Sequence, residues 1–100
     1  MITIDIKRND DKTTAVHCGG HAHFCDGNDI VCAGVSALVQ AFVGTMINSE
    51  ITIDYKMDCG YCKAIVGIGA DRELKMLIIG LLQIQKAYPE NVTLTYNFEI

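Results

Sequence analysis

The chain has 100 residues, of which half are hydrophobic, a fifth are charged and one is proline. This size predicts a single domain over residues 1–100 with one modest core, and the composition excludes a disordered tail or a collagen-like repeat. Eight basic residues against twelve acidic ones give a net charge of −4, which argues against a dedicated nucleic-acid binder, because such proteins usually carry a basic face.

The N-terminus and the cysteines indicate the compartment. Residues 1–8 alternate between apolar and polar side chains, as a strand does, and do not form the basic and apolar blocks of a signal peptide. The longest uncharged stretch, residues 30–49, has almost the length of a membrane span, but its glycine and polar residues predict that it is too polar to be one. We therefore expect a cytoplasmic protein with no membrane partner, whose five cysteines are thiols.

The first third of the chain predicts a hairpin followed by a loop. Residues 2–8 alternate, with three isoleucines on one side, and residues 13–18 return as the partner strand. The loop over residues 19–28 holds three glycines, two histidines and a cysteine. The uncharged stretch that follows is predicted to be a helix, with Asn28 or Asp29 capping its first N–H groups.

The middle of the chain predicts a second hairpin. In residues 50–56, Ile51, Ile53 and Tyr55 are expected on one face of a strand. After a turn at residues 57–60, the next strand places four apolar residues on one side: Cys62, Ala64, Val66 and Ile68.

The last third predicts an amphipathic helix and a final strand. The helix begins at Asp71, is ended by Pro89, and has apolar residues at three- and four-residue spacing: Leu74, Leu77, Ile78, Leu81, Ile84 and Tyr88. Residues 92–100 alternate with period two. The complete order, ββαββαβ, predicts an α+β fold, with a mostly antiparallel sheet and two helices packed on one side.

The first helix has almost no polar face. Ala33, Ala37 and Ala41 form a stripe of small residues at four-residue spacing, which lets another backbone approach closely. A helix that is apolar all round must be covered all round, and one sheet covers only one side. Either a second subunit or the second helix supplies the remaining cover, and the pattern does not choose between them.

Cys32 is the main candidate for chemistry. It falls in the first turn of the first helix, where N–H groups without intrahelical partners and the helix dipole favour an anion. A thiol there is expected to have a lowered pKa and to act as a nucleophile. The same N–H groups can donate to the charge that develops on a substrate carbonyl. The alternative is that Cys32 is an inert small residue of the core.

His21 is the candidate base. It lies eleven residues before Cys32 in the loop, where Gly20 and Gly27 supply the backbone freedom to bring the imidazole to the sulfur. A cysteine and a histidine together catalyse acyl transfer through a thioester, without a metal or another cofactor. Asp29, about one turn before Cys32, either orients the imidazole or caps the helix. The alternative for His21 is a solvated turn residue.

The loop and the start of the helix resemble a known signature. They read Gly20-His21-Ala22 and, after four further residues, GNDIVCAGVSAL over residues 27–38. This closely resembles the ribosomal-processing cysteine protease family, Prp, and the likeness extends over the whole chain. The resemblance implies a single cysteine protease domain with His21 and Cys32 as its catalytic dyad. It also implies a homodimer that removes a short N-terminal extension from a bacterial large-subunit ribosomal protein during ribosome assembly.

A zinc site is the main alternative to catalysis. Four thiols and two imidazoles are candidate ligands: Cys18, His21, His23, Cys25, Cys59 and Cys62. The Cys-x-x-Cys at the end of this set, Cys59 to Cys62, has no second cysteine pair at similar spacing. Cys62 is also in phase with the apolar residues of its strand, which predicts a buried position. We therefore expect no metal. A non-catalytic, ribosome-associated adaptor is the third hypothesis, and the presence of both dyad residues argues against it.

Two further polar residues have local interpretations. Ser36, one turn after Cys32, either donates a hydrogen bond to the substrate or faces the sheet. His17 lies on a predicted strand and is expected to be a surface residue, not a second base.

Overall fold

The structure, a computed structural model, describes residues 1–9, 13–20, 30–58 and 60–99, apart from the side chain of Ile53. Within these residues the elements follow the predicted order ββαββαβ: β1 (Ile2–Arg8), β2 (Thr14–Gly19), α1 (Ile30–Asn48), β3 (Thr52–Asp58), β4 (Tyr61–Val66), α2 (Asp71–Ala87) and β5 (Val92–Tyr96).

The strands form one five-stranded sheet in the order β3-β4-β2-β1-β5. Both hairpins, β1–β2 and β3–β4, and the β2–β4 pair are antiparallel, whereas β1 and β5 are parallel. Since β4 and β5 run in the same direction, α2 serves as the crossover that parallel strands require. Three of the four pairings are antiparallel, which confirms the predicted α+β class.

Alternate residues of the sheet face the helices and form the core. The isoleucines of β1 are at most 3% exposed, and they belong to one buried cluster with side chains from both helices. The opposite face of the sheet is polar and open, with exposed side chains such as Lys7, His17 and Lys63. Both helices therefore lie on one side of the sheet, as predicted.

Helix α1 buries one side and leaves another uncovered. Seven of its residues are buried: Val31, Cys32, Val35, Val39, Phe42, Val43 and Met46. Helix α2 packs closely beside Gly34, where an added Cβ would lie 3.3 Å from Ile84 Cδ1. The stripe of Ala33, Ala37 and Ala41 is exposed. The second helix thus covers only part of the apolar surface that the sequence predicts for α1.

The expectation that residues 30–49 are too polar for a membrane span is wrong. By length and composition alone, α1 could cross a membrane. Its buried side chains nevertheless pack in the same core as the sheet and α2, as those of a core helix do. Length and composition do not separate a core helix from a membrane span, so the packing is the better guide to this helix.

A bulge interrupts the regular alternation that the sequence predicts for β3. Thr52 pairs with Val66 and Tyr55 pairs with Ala64, so both occupy the side of the sheet that faces the helices. The register shifts between Thr52 and Asp54, and such a bulge exchanges the two faces of a strand. Ile51 lies just before β3 and packs against the core, whereas Tyr55 lies on the edge strand and is 52% exposed.

Strand β4 ends before the last of the four apolar residues predicted on one side of it. Its final residue is Val66, and Ile68 lies in the following turn, where it is 76% exposed. Strand β5 likewise ends at Tyr96, earlier than its alternation predicts. The Asn97 side chain takes over the pairing there: its Oδ1 accepts from the Arg8 N–H at 2.8 Å and its Nδ2 donates to the Arg8 carbonyl at 3.3 Å.

Helix α2 confirms its predicted amphipathic pattern over four turns. Its buried side chains are Leu74, Leu77, Ile78 and Leu81, and Ile84 is partly buried. Tyr88 is the exception, because it lies beyond the last helical residue, Ala87, and is 38% exposed. The ring of Pro89 disfavours helical backbone at the residue before it, which explains why the helix stops there.

Candidate active site

Cys32 lies in the first turn of α1, as its third residue, and is 5% exposed. The N–H groups of a first helical turn have no intrahelical partners. Within α1, this turn contains no acidic side chain to offset the positive end of the helix dipole. The first-turn position is the one that the sequence predicts for Cys32, and a helix N-terminus favours an anion; the lowered pKa of its thiol stays a prediction.

Strand β2 carries the chain toward this turn. The pairing of β2 with β4 continues one residue past the strand, where the Gly20 N–H donates to the Gly60 carbonyl at 3.0 Å. This bond holds Gly20 at the end of the sheet, immediately before the residue predicted to be the base. The described chain resumes at Ile30, the first residue of α1.

The other predicted site residues of the loop lie outside the described residues. They are His21, Gly27 and Asp29, together with the candidate cap Asn28 and the candidate ligands His23 and Cys25. The pairing of His21 with Cys32, and the role of Asp29 in orienting it or capping the helix, stay predictions.

Ser36 lies one turn after Cys32 and is half-buried. Its Oγ accepts a hydrogen bond from Gln40 Nε2, at 2.7 Å, along the helix surface. A hydroxyl that accepts one hydrogen bond still has its own proton to donate. Its predicted contact with a substrate therefore stays a prediction that is compatible with this bond.

The structure brings together two further thiols, Cys18 and Cys62, which the sequence offers as candidate metal ligands and, for Cys62, as a residue of the buried side of a strand. Cys18 and Cys62 are directly opposite each other on β2 and β4, on the face that points to the helices. They are 0% and 3% exposed, and neither they nor Cys32 take part in a disulfide. Local sequence carries no signal for this pairing, because it depends on β2 and β4 being neighbours.

The environment of Cys18 disfavours its charged form. Burial raises the pKa of Cys18 from 9.0 to about 12, with smaller contributions from the neighbouring Cys62 and Cys32 thiols. Burial also raises the pKa of Cys62. Both thiols are therefore neutral near pH 7, in contrast to the environment expected to favour a thiolate at Cys32.

The predicted zinc alternative gains no support from the residues that the structure describes. Among them, no group of three or more His, Cys, Asp or Glu side chains is arranged to hold a metal ion. The remaining candidate ligands are outside the described residues: His21, His23, Cys25 and Cys59.

His17 lies on the open face of the sheet, as expected of a surface residue. Its Nε2 is 3.1 Å from the Tyr61 hydroxyl, and the two rings meet edge to face at 5.2 Å. Because consecutive residues of a strand point to opposite faces, His17 and the core-facing Cys18 lie on opposite sides of β2.

A buried cysteine at the start of an apolar helix, reached from the central strand of an α+β sheet, is a site suited to a thiol protease. The comparison with known families agrees with this class. Residues 1–93 match the family described as cysteine protease Prp, and the chain belongs to this family.

Relatives match along almost the entire chain. The ribosomal processing cysteine protease Prp of Staphylococcus aureus is 35% identical over an alignment 106 residues long, gaps included. The alignment covers 96% of this chain and 99% of the relative. The protein of the same name from Bacillus subtilis is 32% identical over 110 residues, covering 97% and 98% of the two chains.

Solved structures show the same fold. The crystal structure of the S. aureus protease with a covalently linked product peptide matches with a TM-score of 0.79 at 34% identity, covering 97% of this chain and all of the other. The same protease with a substrate peptide matches with a TM-score of 0.75 at 28% identity, covering 97% of this chain and 100% of that one.

Proposed function

We propose that this protein is a cysteine endopeptidase that removes a short N-terminal extension from a bacterial large-subunit ribosomal protein. The observation that carries the proposal is the position of Cys32, in the first turn of α1, in a chain that matches the protease family over residues 1–93. Relatives named for ribosomal processing, one of them with structures holding substrate and product peptides, support the substrate class.

Catalysis begins with attack by the Cys32 thiolate on the carbonyl carbon of the scissile peptide bond. The negative charge that develops on the carbonyl oxygen is stabilised by N–H groups of the first turn of α1, each such donor contributing about 3 kcal/mol. His21 gives a proton to the leaving amine, and a thioester remains on Cys32. His21 then takes a proton from a water molecule that attacks the thioester carbonyl, the C–S bond breaks, and the carboxylic acid product leaves with the Cys32 thiolate restored.

The other predicted residues assist this dyad. Asp29 orients the imidazole of His21 or caps α1, and Gly20 and Gly27 give the connecting loop its conformational freedom. The Oγ of Ser36 accepts a hydrogen bond from Gln40, and its hydroxyl donates a hydrogen bond to the substrate backbone. This acyl transfer uses no metal or cofactor.

The protein acts as a homodimer in the cytoplasm, where its acidic charge suits a basic ribosomal protein, and it binds neither nucleic acid nor membranes. The exposed stripe of Ala33, Ala37 and Ala41, with Ile30 71% exposed beside it, supports a second copy of the chain as the partner of this face.

Light scattering tests the dimer. The wild-type protein is expected at twice the mass of one chain, and Ala37→Glu at the mass of a single chain, because a carboxylate cannot be buried unpaired in an apolar contact. Gln83→Glu, at an exposed position of α2, is the matched control and should remain dimeric. A wild-type protein that runs as a single chain contradicts the dimer.

Cleavage of a ribosomal protein with its N-terminal extension tests the function. The wild-type protein should release the extension as one peptide, identified by mass spectrometry. Cys32→Ala should release none while it keeps its circular dichroism spectrum. Cys62→Ala is the control for loss of a buried thiol and should retain cleavage. Turnover by Cys32→Ala at the wild-type rate would end the proposed mechanism.

Alkylation of Cys32 by iodoacetamide as a function of pH tests the base. In His21→Ala the apparent pKa of the thiol should move toward that of an ordinary cysteine, because the neighbouring imidazolium is lost. His17→Ala, on the opposite face of the sheet, should leave the profile unchanged. A larger effect from His23→Ala than from His21→Ala would reverse the assignment.

A further inference from the structure

Helix α1 has one side beside α2 and the opposite side toward an edge of the sheet. Leu38 lies on the first side, because a Cβ added to Gly80 of α2 would be 3.0 Å from its Cδ1. Helix α2 packs on β5, whereas α1 contacts β3, and β5 and β3 are the two edges of the sheet. The side of α1 that is turned away from Leu38 therefore lies toward β3.

The proposed nucleophile is on this side of α1. Two consecutive steps along a helix turn it by about 200°, so Ser36 points away from Leu38. Residues three or four positions apart share a face of a helix. The row that includes Ser36 consists of Cys32, Ser36, Gln40, Val43 and Ile47.

Strand β3 extends the apolar surface beyond the helix. Tyr55 and Met57 lie opposite Ala64 and Cys62 of β4, on the side that faces the helices, but they are 52% and 40% exposed. Helix α1 ends just before β3 begins, so the end of β3 and the start of α1, with Cys32, are at the same end of the sheet. The row on α1 and these two side chains of β3 together are the α1–β3 surface.

The backbone of the same two residues points outward from the sheet. The Gly20 N–H donates to the Gly60 carbonyl, so even-numbered residues around β4 direct their backbone groups to β2 and odd-numbered ones direct theirs to β3. The partners of the odd-numbered residues on β3 are even-numbered. The N–H and C=O groups of Tyr55 and Met57 therefore point away from β4, toward the edge.

The two edges of the sheet differ in how they are covered. On β5, the Leu94 N–H donates to Gln85 Oε1 of α2 at 2.7 Å, which occupies that edge. In the part of the chain that the structure describes, β3 pairs with β4 alone. The bulge between Thr52 and Asp54 disrupts only the start of β3, and the pairing from residue 54 to residue 58 is regular. A regular edge with exposed apolar side chains is suited to pairing with another strand.

We propose that the N-terminal extension of the substrate binds as an added strand along the outer edge of β3, with alternate apolar side chains on the α1–β3 surface and its scissile bond at Cys32. The proposal rests on the proposed function and assigns it a binding site. Backbone bonds to Tyr55 and Met57 set the register, and their side chains select apolar residues. A strand rises about 3.3 Å per residue, so residues 54–58 accommodate about five residues of the extension.

An extended peptide is the occupant that this surface fits. Outward N–H and C=O groups recur at every second residue of β3, which matches the backbone of a strand. The surface is continuous with Cys32, so a chain bound along it reaches the nucleophile. Ser36 lies between Cys32 and Gln40 in the row, where its hydroxyl meets the backbone of the same chain.

Cleavage kinetics test the side chains, with a synthetic peptide that spans the extension and the first residues of the mature ribosomal protein. Tyr55→Ser and Met57→Ser should each raise KM about 10-fold and leave kcat nearly unchanged, because the apolar contact is lost. Met57→Leu keeps an apolar side chain and should retain the wild-type KM. Lys56→Ser, on the opposite face of the same strand, is the matched control and should also retain it.

Backbone N-methylation of the peptide tests the added strand. Each methyl group removes one N–H donor, and binding to Cys32→Ala is measured by fluorescence anisotropy. Methylation at every second residue of the bound segment should weaken binding about 10-fold, and methylation at the residues between should have little effect.

Three results overturn the proposal: an unchanged KM in both Tyr55→Ser and Met57→Ser, no alternation in the N-methylation series, or loss of the dimer in these variants by light scattering. The last result would assign the surface to a second copy of the chain. Circular dichroism should match the wild-type spectrum, because both side chains are exposed. Failure of the proposed function has a different signature, since the wild-type protein would then neither bind nor cleave the peptide.

Discussion

The two helices pack on the same side of the sheet but differ at their N-termini. Helix α2 has Asp71 and Glu73 in its first turn and Lys86 in its last, so its own charges offset both ends of its dipole. Helix α1 has no acidic side chain in its first turn and no basic one in its last. The difference separates a helix that covers the core from one whose first turn we propose to stabilise a thiolate at Cys32.

The two helices also differ in which of their faces are buried. The apolar stripe of α2 is buried and its opposite face is exposed, which is the pattern of a helix that stabilises the fold. On α1, buried residues and an exposed alanine stripe lie on one apolar helix. We therefore expect substitutions in the stripe of α2 to change stability, and those at the start of α1 to change thiol chemistry.

The largest expected effect is on α2. Leu81 is completely buried, and Leu81→Ala should lower the free energy of unfolding by about 2–5 kcal/mol through lost burial and a residual cavity. Met76, 64% exposed on the same helix, provides the control Met76→Ala, which should change it by less than about 0.5 kcal/mol. Urea unfolding measures both, and equal losses would contradict the assignment of α2 as the core cover.

Alkaline pH should destabilise the thiol-rich end of β2. The neutral form of Cys18 is favoured in the folded state, where burial first and then Cys62 and Cys32 raise the pKa from 9.0 to about 12. The stabilisation of the folded state by the neutral Cys18 thiol is therefore complete below pH 9 and is lost as the pH rises from 9 toward 12. The linked loss is at most about 4 kcal/mol.

Urea unfolding at several alkaline pH values measures this loss. Cys18→Val removes the titrating group, so its stability should fall less steeply above pH 9 than that of the wild-type protein. Identical slopes for the two proteins would show that Cys18 does not titrate with the shifted pKa.

A smaller effect is expected at the end of α1. Glu50 has a φ of 60°, a left-handed conformation that side chains disfavour. Its N–H donates to the Ile47 carbonyl at 3.1 Å, and the Ile51 N–H donates to the Met46 carbonyl at 2.9 Å, the two bonds of a Schellman motif. Glu50→Gly should therefore raise the free energy of unfolding by about 1 kcal/mol.

The control for this substitution is Glu90→Gly, in the turn before β5, where the backbone is not left-handed. It should give no such gain, because glycine there only adds freedom to the unfolded chain. A loss of stability in Glu50→Gly would contradict the strain at this position.

The smallest effect tests the difference between the N-termini. Ile30→Glu places a carboxylate in the first turn of α1, as in α2, and should raise the pKa of the Cys32 thiol. The expected result is alkylation about 2- to 5-fold slower at pH 7, corresponding to about 0.3–1 kcal/mol. Ile30→Gln controls for the loss of an isoleucine beside the proposed dimer face, and light scattering shows whether both variants keep the same mass. An equal effect of both changes on alkylation would contradict an electrostatic role.

Periodicity was sufficient to predict most of the fold. The alternation of isoleucines in β1 and the spacing of leucines in α2 follow from burying one face of an element, so they are visible locally. The bulge in β3 and the early end of β5 are not visible in this way. The first changes the phase of a strand, and the second depends on Asn97 bonding to Arg8 across the sheet.

The candidate site likewise contains features that local sequence predicts and features that only the fold reveals. Cys32 was predictable because an uncharged helix beginning just before it places it in the first turn. The neighbourhood of Cys18 and Cys62 was not, because 44 residues separate them in sequence and only the strand order makes them partners. In the sequence they are only two of six candidate ligands for one zinc site.

The most direct test of the central claim is to trap the thioester on Cys32. The wild-type protein is mixed with the extended ribosomal protein, quenched in acid within one turnover, digested and analysed by mass spectrometry. We expect the N-terminal extension peptide joined through its new carboxyl end to Cys32, and no adduct in Cys32→Ala. The same peptide joined to Cys25 or Cys59, or cleavage with no adduct on any cysteine, would contradict it.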